Sequence, residues 1–266
     1  QSVIISQNQS FMEAFIQMLT EKRHSLILSM LEEKGALSVT ELVEQLNTSE
    51  STIRRDLVTL DRGGWLKKVH GGAVKPDSGV IMTEPNVTDK KRLFSPEKEK
   101  IAKYAAGLIR KDDFIFIDAG TTTEKMIEFI TEKSAVFVTN AFNHAKLLAK
   151  HGCKVFLAGG EVKETTEAVV GVACVEMLKS YNFTKCFLGT NGISNESGFT
   201  THNIDEASVK RTAAHQGYVT YILADHSKFD KTAAVSFADI STACIITDQV
   251  KNESYRSLTI IKEVSV

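Results

Sequence analysis

The chain has few cysteines and no long apolar run, and each scarcity excludes a class of protein. Its four cysteines include no C-x-x-C pair and none at a metal-ligand interval from a histidine, which argues against a disulfide scaffold or a zinc site. No apolar stretch approaches the ~20 residues that a membrane-spanning helix needs. The N-terminal residues lack the basic start and cleavage site of a secretory signal. We therefore expect reduced thiols in a cytoplasmic protein without metal, cofactor or membrane partner.

An excess of one charge sign is also missing from the chain as a whole. The net charge is −1, which excludes a generally basic, non-specific nucleic-acid binder. The length of 266 residues suggests about two domains. All three prolines, Pro76, Pro85 and Pro96, fall in one short stretch that has a linker composition. We predict domains at 18–75 and 97–266 joined by a linker at 76–96. Residues 1–17 are either an upstream extension or a short additional helix.

The N-terminal segment has the pattern of two helices joined by a tight turn. Ser38 and Glu41 have capping-box spacing, and Ser49 is placed to cap the second helix. Helical spacing turns these apolar side chains inward: Val39, Leu42, Val43, Leu46, Ile53, Leu57 and Leu60. An earlier helix, ending at Gly35, completes a three-helix core with Leu26, Ile27, Met30 and Leu31. His24 on that helix is expected to face solvent.

The outward side chains of the second helix and the hairpin after it predict a winged helix-turn-helix. The second helix of this motif enters the major groove, where arginine pairs bidentately with guanine. Between residues 51 and 75, six basic residues face only Asp56 and Asp61, a net charge of +4 that can neutralise several phosphates. The candidate DNA-binding residues are Ser51, Thr52, Arg54, Arg55, Lys67, Lys68 and His70.

The C-terminal domain alternates short apolar strands with helices, which predicts a mostly parallel α/β sheet covered on both faces. Ser95-Pro96-Glu97 has the pattern of cap, first-turn proline and acidic first turn. The predicted inward stripe of that helix is Ile101, Tyr104, Ala105, Leu108 and Ile109. Strands are predicted at 114–117, 136–138, 155–157, 186–188, 218–223 and 244–246. A long helix is predicted from about Ala168 to Ser180.

Polar residues follow these strands, and ligands bind outside the carboxyl ends of strands in such sheets. The loop from Asp118 to Thr123 offers a glycine, three hydroxyls and a helix start, which suit a phosphate. Lys228 could supply a cation to that phosphate. Further polar strand ends are Thr139-Asn140, Gly159-Gly160, Gly189-Thr190-Asn191-Gly192 and Asp225-His226-Ser227-Lys228. Each could be only a turn; together they favour a small polyhydroxylated anion.

The chain resembles DeoR-family bacterial transcription regulators in both halves. T-I-R-R-D-L at 52–57 and K-V-H-G-G-A at 68–73 resemble the family's recognition helix and wing. D-A-G-T-T-T at 118–123, G-T-N-G at 189–192 and A-D-H-S-K-F at 224–229 resemble its effector domain. The resemblance implies a repressor of a sugar-catabolic operon, whose effector domain is similar to ribose-5-phosphate isomerase and glucosamine-6-phosphate deaminase. Gly198-Phe199-Thr200-Thr201 resembles fructose-operon members most, so fructose 1-phosphate is the first expectation for the effector.

The family's site residues carry over by motif. The resemblance places a phosphate on Gly120, Thr121, Thr122 and Thr123, with Lys228 nearby. It assigns the sugar to Asp118, Asn140, Asn191 and Glu206, and Gly160 completes the predicted effector site. The expected partners are operator DNA, a phosphorylated sugar and a further copy of the chain, because symmetric half-sites require at least a dimer. A dimer or a tetramer is therefore expected.

An enzyme is the alternative to a regulator. Isomerisation or deamination of a sugar phosphate needs a positioned general base. Where isomerase-like relatives place carboxylates, this chain has Thr190 and Asn191, and neither can take a proton at neutral pH. Asp118, Asp205 and Glu206 keep the alternative of an isomerase or deaminase with an appended DNA-binding domain open. The expectation is a regulator with no catalytic residue.

Overall fold

The computed structural model describes residues 20–75, 80–81 and 87–264, which form two compact units. The DNA-binding unit comprises 20–75 and 87–93, and the sensor unit comprises 80–81 and 94–264. The predicted extension at 1–17 and the linker residues Pro76 and Pro85 lie outside the described residues. In the part that is described, no helix is both long and apolar enough to cross a membrane.

The DNA-binding unit is a three-helix core with a small antiparallel sheet. Its elements are α1 (20–34), β1 (Ala36–Ser38), α2 (Val39–Leu46), α3 (Glu50–Arg62), β2 (Lys67–Val69), β3 (Gly72–Val74) and α4 (Val87–Arg92). The sheet order is β1-β3-β2, so the wing hairpin pairs with a strand that precedes α2. The sequence analysis did not predict β1, nor the short helix α4 within the predicted linker.

Capping determines where α2 and α3 begin. The Ser38 hydroxyl accepts from Glu41 N–H at 3.1 Å, and the Glu41 carboxylate accepts from Ser38 N–H at 3.1 Å. Thr52 N–H donates to the Ser49 hydroxyl at 3.3 Å, so Ser49 caps α3. Asn47 ends α2 in the left-handed region, with φ of 45°. The predicted capping box and the predicted second cap are both confirmed.

Most of the predicted apolar core of this unit is confirmed, but Met30, Val43 and Leu46 are only half-buried and Leu26 is exposed. These side chains are buried: Ile27, Leu31, Val39, Leu42, Ile53, Leu57 and Leu60. Leu26 was predicted to be inward but is 43% exposed, so the buried stripe of α1 is narrower than predicted. Polar groups also join α1 to α3, because Arg23 and His24 of α1 both bond to Asp56 of α3.

The sensor unit contains a seven-stranded sheet in the order β17-β16-β13-β10-β5-β6-β7, with every pairing parallel. These strands are β5 (Phe114–Ile117), β6 (Val136–Thr139), β7 (Lys154–Leu157), β10 (Phe183–Gly189), β13 (Gly217–Leu223), β16 (Cys244–Thr247) and β17 (Ile261–Glu263). The helices are α5 (Ser95–Ala106), α6 (Thr121–Ile127), α7 (Phe142–Lys150), α8 (Val172–Lys179) and α9 (Ile204–Gln216). The predicted fold class, a winged helix-turn-helix with a mostly parallel α/β domain, is confirmed.

Shorter elements lie around this sheet. They are β4 (Val80–Ile81), β8 (Glu161–Lys163), β9 (Ala168–Val170), β11 (Gly192–Ser194), β12 (Gly198–Thr201), β14 (Thr232–Ala233) and β15 (Val235–Ala238). Three-residue 3-10 helices occupy His226–Lys228 and Ile240–Thr242, and a longer one occupies Glu253–Ser257. Strands β11, β12 and β15 form an antiparallel sheet, and β8 pairs with β9 as a hairpin.

Both faces of the main sheet are covered, because its strands alternate between two apolar clusters. Phe116 and Val138 belong to one cluster, whereas Ile115 and Phe137 belong to the other. Cys153, Cys174 and Cys186 are buried and Cys244 is half-buried, all as free thiols. Burial raises the pKa of the Cys174 thiol to about 11, so this sulfur is an unreactive core group.

Three local predictions for this unit are wrong. The predicted helix from Ala168 begins only at Val172, because Ala168–Val170 pairs as strand β9 and Gly171 takes φ of 93° between them. The cap of α5 is Phe94, not Ser95, and it makes no side-chain capping bond. Tyr104, predicted to be inward on α5, is 37% exposed.

Candidate functional site

The exposed side chains of α3 form the candidate DNA-reading surface. Ser51, Arg54 and Arg55 are exposed, and Thr52 is half-buried. The Ser49 hydroxyl lies 3.0 Å from that of Ser51 and 2.8 Å from that of Thr52. The cap therefore fixes the hydroxyl groups at the start of the helix, which is the end that contacts base edges in such motifs.

The two adjacent arginines have different surroundings. Arg54 makes an ion pair with Glu50 one turn earlier at 2.6 Å, and both side chains are more than half exposed. Arg55 donates instead to the Ser51 carbonyl at 3.3 Å. An exposed pair contributes about 0–1 kcal/mol, whereas a bidentate arginine–guanine contact contributes about 1–3 kcal/mol of discrimination. Because the ion pair is weaker than an arginine–guanine contact, Glu50 can orient Arg54 without preventing its contact with DNA.

The wing carries the other predicted DNA-binding residues on its open surface. Lys67, Lys68 and His70 are all exposed. Lys68 N–H donates to the Asp61 carboxylate at 2.8 Å, which ties the wing to the last turn of α3. Gly71 closes the hairpin with φ of 80°, a conformation that favours glycine. The structure thus brings all seven predicted DNA-binding residues onto α3 and the wing beside it.

The predicted charge balance of this surface needs three corrections. Asp56 does not face the basic residues: it is 5% exposed and accepts from Arg23 at 2.5 Å and His24 at 2.9 Å. His24 is correspondingly not solvent-facing. Lys75 is paired with Glu32 of α1 at 2.6 Å. The exposed basic residues of α3 and the wing are Arg54, Arg55, Arg62, Lys67 and Lys68.

In the sensor unit, the carboxyl ends of β5 and β10 meet at a buried ion pair. Asp118 is 1% exposed and accepts from Gly189 N–H at 2.7 Å and from Gly120 N–H at 3.1 Å. Lys210 of α9 forms an ion pair with the same carboxylate and donates to the Gly189 carbonyl at 2.9 Å. Asp118 is thus held in place from β5, β10 and α9, and Lys210 is a cation at the predicted site that the sequence analysis missed.

The loop after β5 is ordered by its own hydroxyl groups. The Thr123 side chain is fully buried, and its hydroxyl oxygen lies 2.9 Å from the Asp118 carboxylate and 2.8 Å from the Gly120 carbonyl, either of which can accept its proton. Thr122 is buried, and Thr121 is half-buried. A Cβ at Gly120 would lie 2.9 Å from the Thr123 hydroxyl, so the loop has no room for a side chain there. The hydroxyl of Thr123 therefore shapes the loop.

Two buried acceptors at other strand ends have no hydrogen-bond partner among the described residues. Asn140, after β6, is 3% exposed; its amide N–H donates to the Val169 carbonyl at 3.0 Å, but Oδ1 accepts nothing. Asp225, after β13, is 1% exposed, and its Oδ2 likewise accepts nothing. A buried acceptor without a donor costs about 1–3 kcal/mol. Hydroxyl groups of a ligand are the donors that such oxygens lack.

Positive charge surrounds Asp225. Burial raises the pKa of this carboxyl group, but the charges of Lys228, Lys98 and His226 and the hydrogen bond from Ser227 together lower it by more, so the net shift is downward. Lys98 of α5 is only 3% exposed and was missed by the sequence analysis. The sequence did contain a signal for this burial. Lys98 lies three positions before the inward Ile101 and seven before the inward Ala105, and residues at that spacing share one face of a helix.

His226 follows Asp225 in the chain and is held in place by Asp248. The ring Nδ1 of His226 lies 2.6 Å from the Asp248 carboxylate, and the backbone N–H of His226 donates to the same carboxylate at 2.7 Å. Burial lowers the pKa of His226, but the hydrogen bond to Asp248 and the charges of Asp248 and Asp225 together raise it by more, so the net shift is upward. The edge of the Phe94 ring meets the imidazole at 5.2 Å between centroids. His226 therefore links the end of β16 to Phe94, the residue before α5.

The remaining predicted effector residues are already bonded to protein groups. Glu206 accepts from Thr166 at 2.6 Å and Lys163 at 3.0 Å, both on the β8–β9 hairpin. The Asn191 carbonyl oxygen accepts from Thr201 at 2.9 Å. Gly160 lies against β9 with φ of 147°, and a Cβ there would meet the Val170 carbonyl at 2.3 Å. These residues hold the hairpin and loops at the sheet edge.

The sheet order determines which predicted residues are neighbours. Asp118, Gly120 and Gly189 come together at β5 and β10. Lys228 lies with Asp225 at the end of β13, and β10 separates this strand from β5. Asn140 lies at the end of β6, which neighbours β5 on the side away from β10. The structure thus distributes the predicted effector residues along one edge of four adjacent strands.

The fold and these surfaces define a class of protein: a DNA-binding regulator with a winged helix-turn-helix and a separate α/β sensor domain. Two family models match the chain, the DeoR-like helix-turn-helix domain at residues 23–79 and the DeoR C-terminal sensor domain at residues 94–249. The chain belongs to the DeoR family of transcriptional regulators.

Similar proteins carry the names of regulators. The chain is 43% identical over 251 residues to the uncharacterized HTH-type transcriptional regulator FruR of Bacillus subtilis, covering 93% of this chain and 99% of the relative. It is 35% identical to the lactose phosphotransferase system repressor of Staphylococcus epidermidis, covering 80% of this chain and 86% of that protein. The chain is therefore a transcriptional regulator and not an enzyme.

Solved structures similar to the chain include ribose 5-phosphate isomerase A from Neisseria gonorrhoeae. That match has a TM-score of 0.38 and 16% identity, and covers 50% of this chain and 52% of the isomerase. A likeness at this score carries no argument about the chemistry of the site. The sheet order and the family models carry the conclusion on fold and class.

Proposed function

We propose that this regulator represses a sugar-catabolic operon and that a phosphorylated sugar, fructose 1-phosphate or a close relative, controls its operator binding. The observation that carries the proposal is the combination of groups at one sheet edge. Oδ1 of Asn140 and Oδ2 of Asp225 are buried acceptors that lack donors, and Lys228 lies beside Asp225. Sugar hydroxyls supply donors, and a phosphate requires cations. A phosphorylated sugar supplies both needs in one molecule.

The names of the relatives agree with this proposal. One similar protein is named a lactose phosphotransferase system repressor, and another is named FruR. We propose the domain boundaries 18–75 and 97–266, with the linker at 76–96 between them. A regulator with one DNA-binding unit per chain acts on symmetric operators as a dimer or a larger assembly. It does so where the chromosome lies, in the cytoplasm.

The proposed roles of individual residues follow from their surroundings. On DNA, the arginines and hydroxyls of α3 read bases, and the wing residues contact phosphates. In the sensor unit, Thr121 and Lys228 are proposed to bind phosphate, and Asn140 to bind a sugar hydroxyl. The other residues of the proposed effector site are Asp118, Gly120, Thr122, Thr123, Gly160, Asn191 and Glu206. Asp118, Gly120, Thr123, Asn191 and Glu206 are also bonded within the protein, so these five are proposed to position the site as well as line it.

Lys228→Ala is expected to leave operator affinity in the absence of effector within about twofold of the wild type. The variant removes the cation beside Asp225, so the operator should no longer respond to fructose 1-phosphate. Fluorescence anisotropy with a labelled operator, titrated with fructose 1-phosphate, measures both quantities. Lys179→Ala is the matched control, because Lys179 is exposed and pairs with neighbouring Glu176 at 2.7 Å. An undiminished response in Lys228→Ala would exclude Lys228 from the effector site.

The chemistry of the effector is tested by thermal shift of the full chain. Fructose 1-phosphate is expected to raise the melting temperature more than fructose or inorganic phosphate at the same concentration, because a ligand stabilises the state that binds it. A larger shift with free fructose than with its phosphate would contradict the proposed anionic effector.

A further inference from the structure

Strand β7 is an open edge of the seven-stranded sheet, and exposed apolar side chains gather around it. Its only neighbour among the described strands of that sheet is β6. Phe156 is 42% exposed and Leu157 is 39% exposed, although they point to opposite faces of the sheet. Leu147 on α7, which packs against β7, is 38% exposed. Both faces of the sheet are thus left uncovered at this one edge.

The backbone of β7 is available for pairing at specific residues. Ala158 N–H donates to the Thr139 carbonyl of β6 at 2.8 Å. Because successive residues of a strand direct their backbone groups to alternate sides, Phe156 also faces β6. Val155 and Leu157 therefore direct their N–H and C=O groups toward the open edge.

The features that normally protect an edge strand are weak here. Natural edges use inward charges, prolines or bulges to prevent pairing with another chain. The opposite edge strand, β17, contains the charged residues Lys262 and Glu263. In β7 the only charged residue is Lys154 at its first position, followed by Val155, Phe156 and Leu157. The two edges of the same sheet are therefore chemically different, and β7 is the one suited to pairing.

The charges on either side of β7 are complementary to each other. Exposed Lys150 and Lys154 come before the apolar residues of the strand, and exposed Glu161 and Glu164 follow them. When two copies of such a segment run antiparallel, the acidic end of each copy lies beside the basic end of the other. Parallel stacking would instead bring like charges together. The charge order thus selects a second copy of this chain, in antiparallel orientation.

We propose that β7 is the dimerisation edge of the sensor domain, where a second copy of this chain adds its own β7 antiparallel across a two-fold axis at Phe156. Val155 of each copy then exchanges backbone hydrogen bonds with Leu157 of the other. The two Phe156 side chains lie directly opposite, in the type of pair where side chains are closest. The inference rests on the proposed function, because an operator with symmetric half-sites needs two heads held by one two-fold axis.

Phe156→Asp tests this surface by placing two like charges opposite each other at the axis. Light scattering coupled to size exclusion of the full chain is expected to show a dimer for the wild type. For the variant, we expect a dimer dissociation constant raised at least a hundredfold. Tyr218→Asp is the control, because Tyr218 is 91% exposed at the amino end of β13 and should leave the dimer intact. A monomeric wild type, or a Phe156→Asp variant with an unchanged mass, would overturn the proposal.

A charge exchange keeps the test independent of folding defects. Glu161→Lys and Lys150→Glu should each weaken the dimer, because each brings like charges together across the axis. The double variant should restore it, since the pattern is reversed but still complementary. If both single variants dimerise more weakly and the double variant dimerises more weakly still, the antiparallel arrangement is overturned.

The failure of this inference is distinguishable from failure of the proposed function. Phe156→Asp should still bind a duplex that contains a single half-site as the wild type does, while losing the gain in affinity that two half-sites give. A wild-type dimer without specific DNA binding would leave the surface standing and reject the proposed function. A dimer that Phe156→Asp does not disturb would reject the surface and leave the proposed function standing.

Discussion

Asp56→Ala is expected to lower the free energy of unfolding of the DNA-binding unit by about 3 kcal/mol, because it leaves the largely buried Arg23 guanidinium without its carboxylate and removes the partner of His24. The Asp56 carboxylate accepts from Arg23 at 2.5 and 3.0 Å and from His24 at 2.9 Å. Removing it takes away the tie between α1 and α3. Because α3 carries the proposed DNA-reading residues, operator binding should be lost with the stability.

The measurement uses the only tryptophan of the chain, Trp65, which lies between α3 and the wing. Urea denaturation of the full chain followed by Trp65 fluorescence reports on the DNA-binding unit. Asp61→Ala is the matched control, because Asp61 is exposed and receives one backbone hydrogen bond from Lys68. The free energy of unfolding of the control variant should fall by about 1 kcal/mol or less. Equal losses in the two variants would show that the buried network does not hold α1 to α3.

The contribution of Asp56 should also depend on pH. Burial raises its pKa, but the hydrogen bonds and electrostatic interactions with His24 and Arg23 together lower it by more, so the folded-state pKa lies below the ordinary value. A carboxyl group with a lowered pKa contributes stability above its unfolded pKa and loses it as pH falls through the folded one. The difference between wild type and Asp56→Asn should therefore be constant near neutral pH and shrink below about pH 4.

Arg54→Ala is expected to weaken operator binding about tenfold to a hundredfold and to relax the base preference at one position of each half-site. The reason is the loss of an arginine–base contact, which is worth about 1–3 kcal/mol. Lys67→Ala is the matched comparison from the wing. It should weaken binding to every duplex similarly and reduce the salt dependence by about one phosphate contact.

Competition binding against a panel of single-base operator variants, repeated at several salt concentrations, separates the two effects. The exposed ion pair of Arg54 with Glu50 should not mask the result, because such pairs contribute little. An Arg54→Ala variant that retains the full base preference would place recognition elsewhere on α3, with Arg55 as the next candidate.

The DNA-binding unit could be predicted well from sequence because its signals are local. Ser38 with Glu41 and Ser49 with Thr52 are a few residues apart, so the caps could be identified without knowledge of the fold. Asp56 shows the limit of this approach. Its partners lie 32 and 33 positions earlier in the chain, and nothing in the local pattern distinguishes a buried aspartate from an exposed one.

The sheet of the sensor unit was predictable where strands are apolar and continuous, and less so where they are short. Ala168–Val170 extends the apolar run of the following helix, so only the φ of Gly171 separates strand from helix. Strand β17, at 261–263, carries two charged residues, and its apolar signal is correspondingly weak. Its place at the sheet edge is set by pairing with β16, which is a tertiary contact.

At the candidate effector site, the sequence predicted that polar residues at the strand ends share one edge of the sheet, but not which of their side chains are already bonded. Strand ends bearing polar residues predicted where Asp118 and Asn140 would lie. Lys210 could not be assigned in this way, because it lies in the middle of α9 and reaches Asp118 only through the packing of α9 against the sheet. Which side chains are engaged and which acceptors stay open depends on such contacts.

The most direct test of the account is one anisotropy titration of the full chain at about 0.15 M salt, where long-range charge effects are screened. A labelled duplex from its own promoter region is compared with a shuffled duplex, each with and without saturating fructose 1-phosphate. We predict at least ~10³-fold tighter binding to the promoter duplex and a change in that affinity of about 5- to 150-fold with the sugar phosphate. Equal affinities for the two duplexes, or a promoter affinity that the sugar phosphate leaves unchanged, would contradict the coupling of a DNA-reading unit to a metabolite sensor.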